Sequence, residues 1–193
     1  MQKLELVVAH LESDTSYSSG LRQYNVGIGK IIGPVIVQQD PPSQISNDQI
    51  AKTLTGWISG GTVADLSVNG AYNILLPPGT IASLSGDLSC NTFCDYHDTV
   101  NGSSGPFCTV EPYPCAQGCN QCTKDPFDTL TQGLSEEMVE LKTDMDPGTG
   151  WVIGNEEICD YCDANFVCNR IATGEYVNSW YDKSKNACWM GRK

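Results

Sequence analysis

From Thr131 to Asp144 the chain reads TQGLSEEMVELKTD, and this stretch decides how the rest is read. Extended back to Pro126, it carries Leu130, Leu134, Met138 and Leu141 at spacings of four, four and three. That periodicity predicts a helix over roughly Pro126–Thr143 with one apolar stripe. Glu136, Glu140 and Asp144 fall at i, i+4 and i+8 and share the other side. Carboxylates stacked in this way repel by about 0.2–0.5 kcal/mol per pair unless a cation or solvent lies between them. Taken alone, the stripe has an ordinary reading as a solvated acidic face.

Working outward, Leu4, Val7, Val8 and Leu11 predict an amphipathic helix over residues 2–12, ended by the Ser and Gly cluster Ser13–Gly20. Ile31–Val37 is β-branched and interrupted by Gly33-Pro34, which predicts a strand starting near Pro34. Asp40-Pro41-Pro42-Ser43 reads as a turn. Ser46 followed by Gln49 forms a capping box, and Ile50, Leu54, Trp57 and Ile58 give a helix ending before Gly60-Gly61. Tyr72–Leu76, stopped by Pro77-Pro78-Gly79, reads as a buried central strand. Ser85–Lys124 reads as loops held by crosslinks, and Asp146–Lys193 as turns with short strands. The expectation is an α/β or α+β fold in a single domain, 1–193, with a helix and strand part over 1–84 and a cysteine-rich part over 85–193.

All ten cysteines lie in that second part: Cys90, Cys94, Cys108, Cys115, Cys119, Cys122, Cys159, Cys162, Cys168 and Cys188. Their number and irregular spacing point to disulfides in an oxidising compartment, paired locally within each cluster and leaving no thiol over. Cys119–Cys122 and Cys159–Cys162 are CxxC elements, but they lie too far apart for the usual zinc ribbon. The predicted location is therefore secreted or extracellular, with an export signal expected upstream of Met1. Asn101-Gly102-Ser103 is a glycosylation sequon consistent with export. A net charge of −12 and a pI near 4.3 argue against nucleic acid or an anionic membrane as partner and favour hard cations. No apolar run is long enough for a membrane span.

Several segments occur together in one order: Tyr24–Gly29, Asp40–Ser43 with ISNDQI after it, Leu76–Gly79, the run Cys90-Asn91-Thr92-Phe93-Cys94-Asp95-Tyr96-His97, and Asn186-Ala187-Cys188. In this the chain resembles the bacterial and algal relatives of the phosphate-induced, Exordium-like secreted proteins, from about Leu4 to Cys188. That resemblance implies a zincin-like mixed sheet with packed helices. In the family the acidic helix resembles S-H-E-L-x-E-A-x-T-D-P, followed by G-W and G-E-I-x-D-x-C. Here the corresponding residues are Ser135–Asp144, Gly150-Trp151 and Glu157-Ile158-Cys159-Asp160, and Glu136 stands where the helical histidine belongs.

Mapped on a zincin helix, Glu136 and Glu140 are the ligand positions and Glu137 is the general base. Zinc prefers nitrogen and sulfur donors, whereas carboxylates suit calcium or magnesium. The substitution thus argues against zinc and for calcium held by Glu136 and Glu140 with Asp160 or Asp144; His97 is a further candidate ligand. The resemblance also implies an apolar strand ahead of the first helix, and its loss would leave an open sheet edge for self-association. Three functions follow as expectations: a non-catalytic extracellular structural or binding protein, assembling into filaments; a zincin-type hydrolase using Glu137; and a carbohydrate-binding cell-wall protein using Trp151, Trp180 and Tyr181, with glycans as partners.

Overall fold

A computed structural model describes residues 2–39, 41–113, 115, 118–119, 122–163 and 168–191. Among the described residues there are four α-helices: α1 Gln2–Ser13, α2 Asn47–Ser59, α3 Pro126–Thr143 and the short α4 Asp160–Asp163. The capping box forms as predicted, with Ser46 Oγ accepting from Gln49 N–H and Gln49 Oε1 accepting from Ser46 N–H. Asp125 caps α3 by accepting from Phe127 N–H, and Pro126 occupies the first turn.

The strands are β1 Gln44–Ser46, β2 Ala71–Leu75, β3 Ile81–Leu84, β4 Asp87–Leu88, β5 Tyr96–Ser103, β6 Phe107–Glu111, β7 Val152–Ile153, β8 Glu156–Glu157, β9 Asn169–Arg170, β10 Tyr176–Val177, β11 Tyr181–Asp182 and β12 Ala187–Cys188. The central sheet has the order β2-β6-β5, parallel between β2 and β6 and antiparallel between β5 and β6. A second sheet, β1-β3-β4, flanks α2, and three two-stranded ribbons fill the C-terminal third. This is an α+β fold. No helix is long and apolar enough to cross a membrane among the described residues.

Three predicted strand assignments differ. Residues 31–37 have no regular structure and join no sheet among the described residues. β2 is an edge strand of half-buried residues, and the centre of the sheet is the fully buried β6. Within the region expected to be loops, Tyr96–Ser103 and Phe107–Glu111 are strands. Their sequences, YHDTVNGS and FCTVE, lack a clean apolar alternation because the sheet buries polar side chains on one face. Tyr96, Cys108 and Val110 pack with Ile50 and Leu54 of α2. His97, Thr109 and Glu111 alternate with them, so they point to the opposite face, where α3 packs on β5 and β6.

The second apolar cluster joins distant parts of the chain. Val7 and Leu11 of α1, Tyr17 and Leu21 pack with Leu134 and Met138 of α3 and with Trp180 and Trp189. The first helix therefore packs against the C-terminal third.

Three of the four disulfides cross the sequence clusters, and Cys162–Cys188 lies within the last one. Cys90 pairs with Cys115, Cys94 with Cys119, Cys122 with Cys168, and Cys162 with Cys188. Local pairing is thus corrected for three bonds and holds for Cys162–Cys188, and neither CxxC element closes on itself. Cys108 and Cys159, expected to be bonded, are free thiols, because each is enclosed in a different apolar cluster. Four disulfides fit a protein of an oxidising, extracellular environment. The sequon residue Asn101 belongs to the backbone of strand β5 and not to a loop.

A candidate metal centre on the buried side of the acidic helix

Periodicity places Gly133, Glu136, Glu137 and Glu140 on the side of α3 that meets the polar face of the sheet. Burial here is unusual for carboxylates: Glu140 is 2 % exposed, Glu137 5 % and Glu111, at the end of β6, 1 %. The stripe is therefore not a solvated face. Asp95 approaches so closely that a Cβ on Gly133 would lie 1.8 Å from its Oδ2, so only glycine fits at 133. Asp95 and Glu137 share a carboxyl–carboxyl hydrogen bond, as do Glu136 and Asp163 of α4.

His97 is buried at the centre. Its Nδ1 lies 3.0 Å from Glu137 Oε2 and 4.0 Å from Glu140 Oε2. Its Nε2 lies 3.0 Å from the backbone oxygen of Asp144 and 3.3 Å from Glu157 Oε1 of β8. A carbonyl can only accept, so Nε2 carries the proton and Nδ1 is turned toward the two glutamates. An imidazole anchored in this way on one nitrogen and offered on the other has the orientation of a metal ligand.

Two sets of donor atoms converge within 4.8 Å of one another: His97, Glu137 and Glu140, and Glu136, Glu140 and Asp160. Glu140 belongs to both. Its Oε1 also accepts from the backbone N–H groups of Cys159 and Asp160, each at 3.3 Å, which fixes the carboxylate between them. Cys162–Cys188 ties α4, the carrier of Asp160 and Asp163, to β12. The second set reaches the surface at Asp160, which is exposed.

Asp144, predicted as an alternative ligand, is used differently. Its carboxylate accepts from the backbone N–H groups of Gly148, Thr149 and Gly150, so it holds the turn after α3 and lends only its carbonyl to His97. Sequence reasoning missed Asp95, Glu111, Glu157 and Asp163. The i, i+3 pair Asp160 and Asp163 and the neighbour pair Asp95 and His97 were visible signals for two of them.

The electrostatics are one-sided. Among the described residues no Lys or Arg is paired with this group, and His97 is its one basic partner. Burial first, and then the neighbouring carboxylates, push Glu136, Glu137, Glu140 and Glu111 well above the usual carboxylate range. Burial raises Asp95 and Asp160 to about 6 each. Glu111 Oε1 is buried with no hydrogen-bond partner. A group of this kind requires protons or a cation to be stable.

The aromatic residues offered as a glycan surface are placed otherwise. Trp180 is fully buried, and Tyr181 is half-buried, with its hydroxyl bonded to Asn186. Trp151 is exposed, but Lys183 Nζ covers its ring at 3.7 Å from the centroid.

The chain matches no family model, no curated protein and no solved structure.

Proposed function

We propose that the protein is a non-catalytic extracellular structural module whose carboxylate centre is clamped by a hard cation, calcium in the first place. The observation that carries this reading is the all-oxygen set Glu136, Glu140 and Asp160, converging within 4.8 Å and lacking any paired Lys or Arg among the described residues. Oxygen donors from three carboxylates suit calcium or magnesium better than zinc. Bound there, the cation would join α3 to α4 and neutralise charge that the fold otherwise encloses. The order of segments shared with Exordium-like secreted proteins, and the four disulfides, support an extracellular setting.

Enclosure argues against catalysis. His97, Glu137 and Glu140 are each under a tenth exposed, while the cleft that opens against α3 is lined by Leu134, Met138 and Leu141 on its other side. Glu137, the residue a zincin would use as base, is bonded to His97 and Asp95 and is buried from solvent.

A second reading keeps a transition metal. His97 Nδ1 with Glu137 and Glu140 supplies one nitrogen and two oxygens, and its anchored imidazole favours such an ion over calcium. Elemental analysis of the purified protein, followed by calcium titration of chelator-treated protein in a calorimeter, separates the two. Calcium binding at one ion per chain, lost in Glu136→Gln, is the expected result. Stoichiometric zinc with peptidase activity abolished by Glu137→Gln would overturn the structural reading.

A further inference from the structure

The side of the molecule away from the carboxylates has an unmet pairing demand. Strand β2 lies at the edge of its sheet and pairs with β6 alone among the described residues. Its outer edge presents backbone N–H and C=O groups to no other strand. That edge lines a cleft of about 1830 Å³, whose further walls include Val8 of α1, Trp57 of α2, and Leu134 and Met138 of α3. Another wall is the irregular stretch from Asn25 to Gln39, which belongs to no sheet among the described residues. Four of its β-branched side chains, Ile28, Ile32, Val35 and Ile36, are 60, 65, 47 and 59 % exposed. Such a run of exposed apolar side chains is the mark of an interface.

We propose that the cleft is an acceptor slot for residues 28–39 of a second copy of this chain, which add to the sheet beside β2. The occupant follows from what the molecule holds. One chain carries both an unpaired strand edge and an unpaired strand-forming segment, and each lacks what the other offers. Val35–Gln39 matches the five residues of β2, a span of about 17 Å. Gly33, at a φ of +112°, provides a bend ahead of it, and Pro34 stands at the start, where a missing N–H interrupts no ladder.

Charge selects the same segment. The protein carries −12, yet residues 28–39 contain no Asp or Glu and one basic residue, Lys30. Apart from the segment itself, the cleft is bordered by Glu5, Glu12 and Asp65 against Lys52 and Lys142, with Lys142 already paired to Glu12. The segment, with one positive charge, therefore meets a rim with one negative charge in excess, while the copies as wholes repel. The donor segment forms one wall of the cleft and the β2 edge another, so the exchange either closes reciprocally between two copies or continues head to tail into a ring or a filament.

The experiment is analytical ultracentrifugation of the disulfide-intact chain over a range of protein and salt concentrations. The expected mass rises above the 20.9 kDa of one chain with concentration, and rises further with salt as the repulsion between copies is screened. A double variant, Val35→Asp with Ile36→Asp, alters two exposed side chains; it is expected to stay at 20.9 kDa with an unchanged unfolding midpoint. A free peptide of residues 28–39 is expected to return the wild type to a single chain. A wild type that remains a monomer throughout overturns the proposal, as does association that survives both the variant and the peptide. Metal content measured on the same samples decides the cation reading separately.

Discussion

The two sides of α3 depart from the usual arrangement because both are enclosed. Its acidic side is sealed against β5 and β6, with Asp160 of α4 converging on it, and its apolar side is buried in the second apolar cluster at the wall of a cleft. In an ordinary amphipathic helix the carboxylates would be solvated and the leucines enclosed. Here the sealed side has to be neutralised from outside the side-chain inventory, by protons or a cation. Beyond the apolar side, the cleft is bordered by the outer edge of β2 and by the exposed Ile28, Ile32, Val35 and Ile36, surfaces that another strand can complete. Two unmet demands of different chemistry thus lie on either side of one helix, and each can be tested without disturbing the other.

The largest contrast is expected between removal of apolar contact and removal of charge. Leu134 is 1 % exposed, and Leu134→Ala should lower stability by about 2–5 kcal/mol in urea unfolding. Glu136→Gln, in calcium-free protein at neutral pH, should be neutral or stabilising, because it removes one of several like charges and keeps a polar group toward Asp163. An equal loss in both variants would break the comparison.

Next in size is the response to the cation. Calcium at one hundred times its dissociation constant should add about 2.7 kcal/mol. That raises the melting temperature by about 5–10 °C for a chain of this length, and a chelator should reverse it. The pH dependence has a definite sign. Asp95 and Asp160 titrate near 6 in the folded protein against 3.8 for the ordinary group. A raised folded pKa stabilises below the unfolded value and loses that contribution as pH rises through the folded one. Cation-free protein should therefore weaken between about pH 4 and pH 6 and beyond, as the more strongly raised glutamates ionise. Calcium needs the ionised groups, so its stabilising effect should grow over the same interval and vanish near the acid end. Melting scans with and without calcium across that range check both trends.

A smaller effect sharpens the geometry. Gly133→Ala drives a methyl group into Asp95 and should cost about 1–3 kcal/mol, with weaker cation binding than the wild type. The least perturbing measurement is a thiol count. Cys108 and Cys159 should be unreactive in the native protein and give two thiols per chain when it is unfolded without reductant.

The helices were readable from the chain because their signals are local. The capping box at Ser46 and Gln49, the apolar spacing of Leu130, Leu134, Met138 and Leu141, and Pro126 at the first turn each act within one or two turns. Strands β5 and β6 were hidden because the sheet buries His97, Thr109 and Glu111 on the face toward α3, so alternation no longer separates inside from outside. Residues 31–37 carry the composition of a strand, but a strand also needs a neighbour, and none of the described residues provides one. The disulfide partners were hidden for a similar reason. Cys122 and Cys168 are separated by 46 residues, a closure set by how β9 and α3 are brought together and not by spacing.

By itself, the amino-acid order determined that Glu136 and Glu140 share one side of a helix with Leu134 and Met138 on another, that the crosslinks lie in the second part of the chain, and that the whole is acidic. Helical periodicity and composition act at short range, and those properties need nothing else. Which side faces inward was decided only by tertiary structure, because enclosure depends on elements remote in the chain: Asp95 and His97 before and within β5, Glu157 in β8 and Asp160 in α4. Their convergence turns a stripe of surface-like carboxylates into a buried centre that calls for a counter-charge.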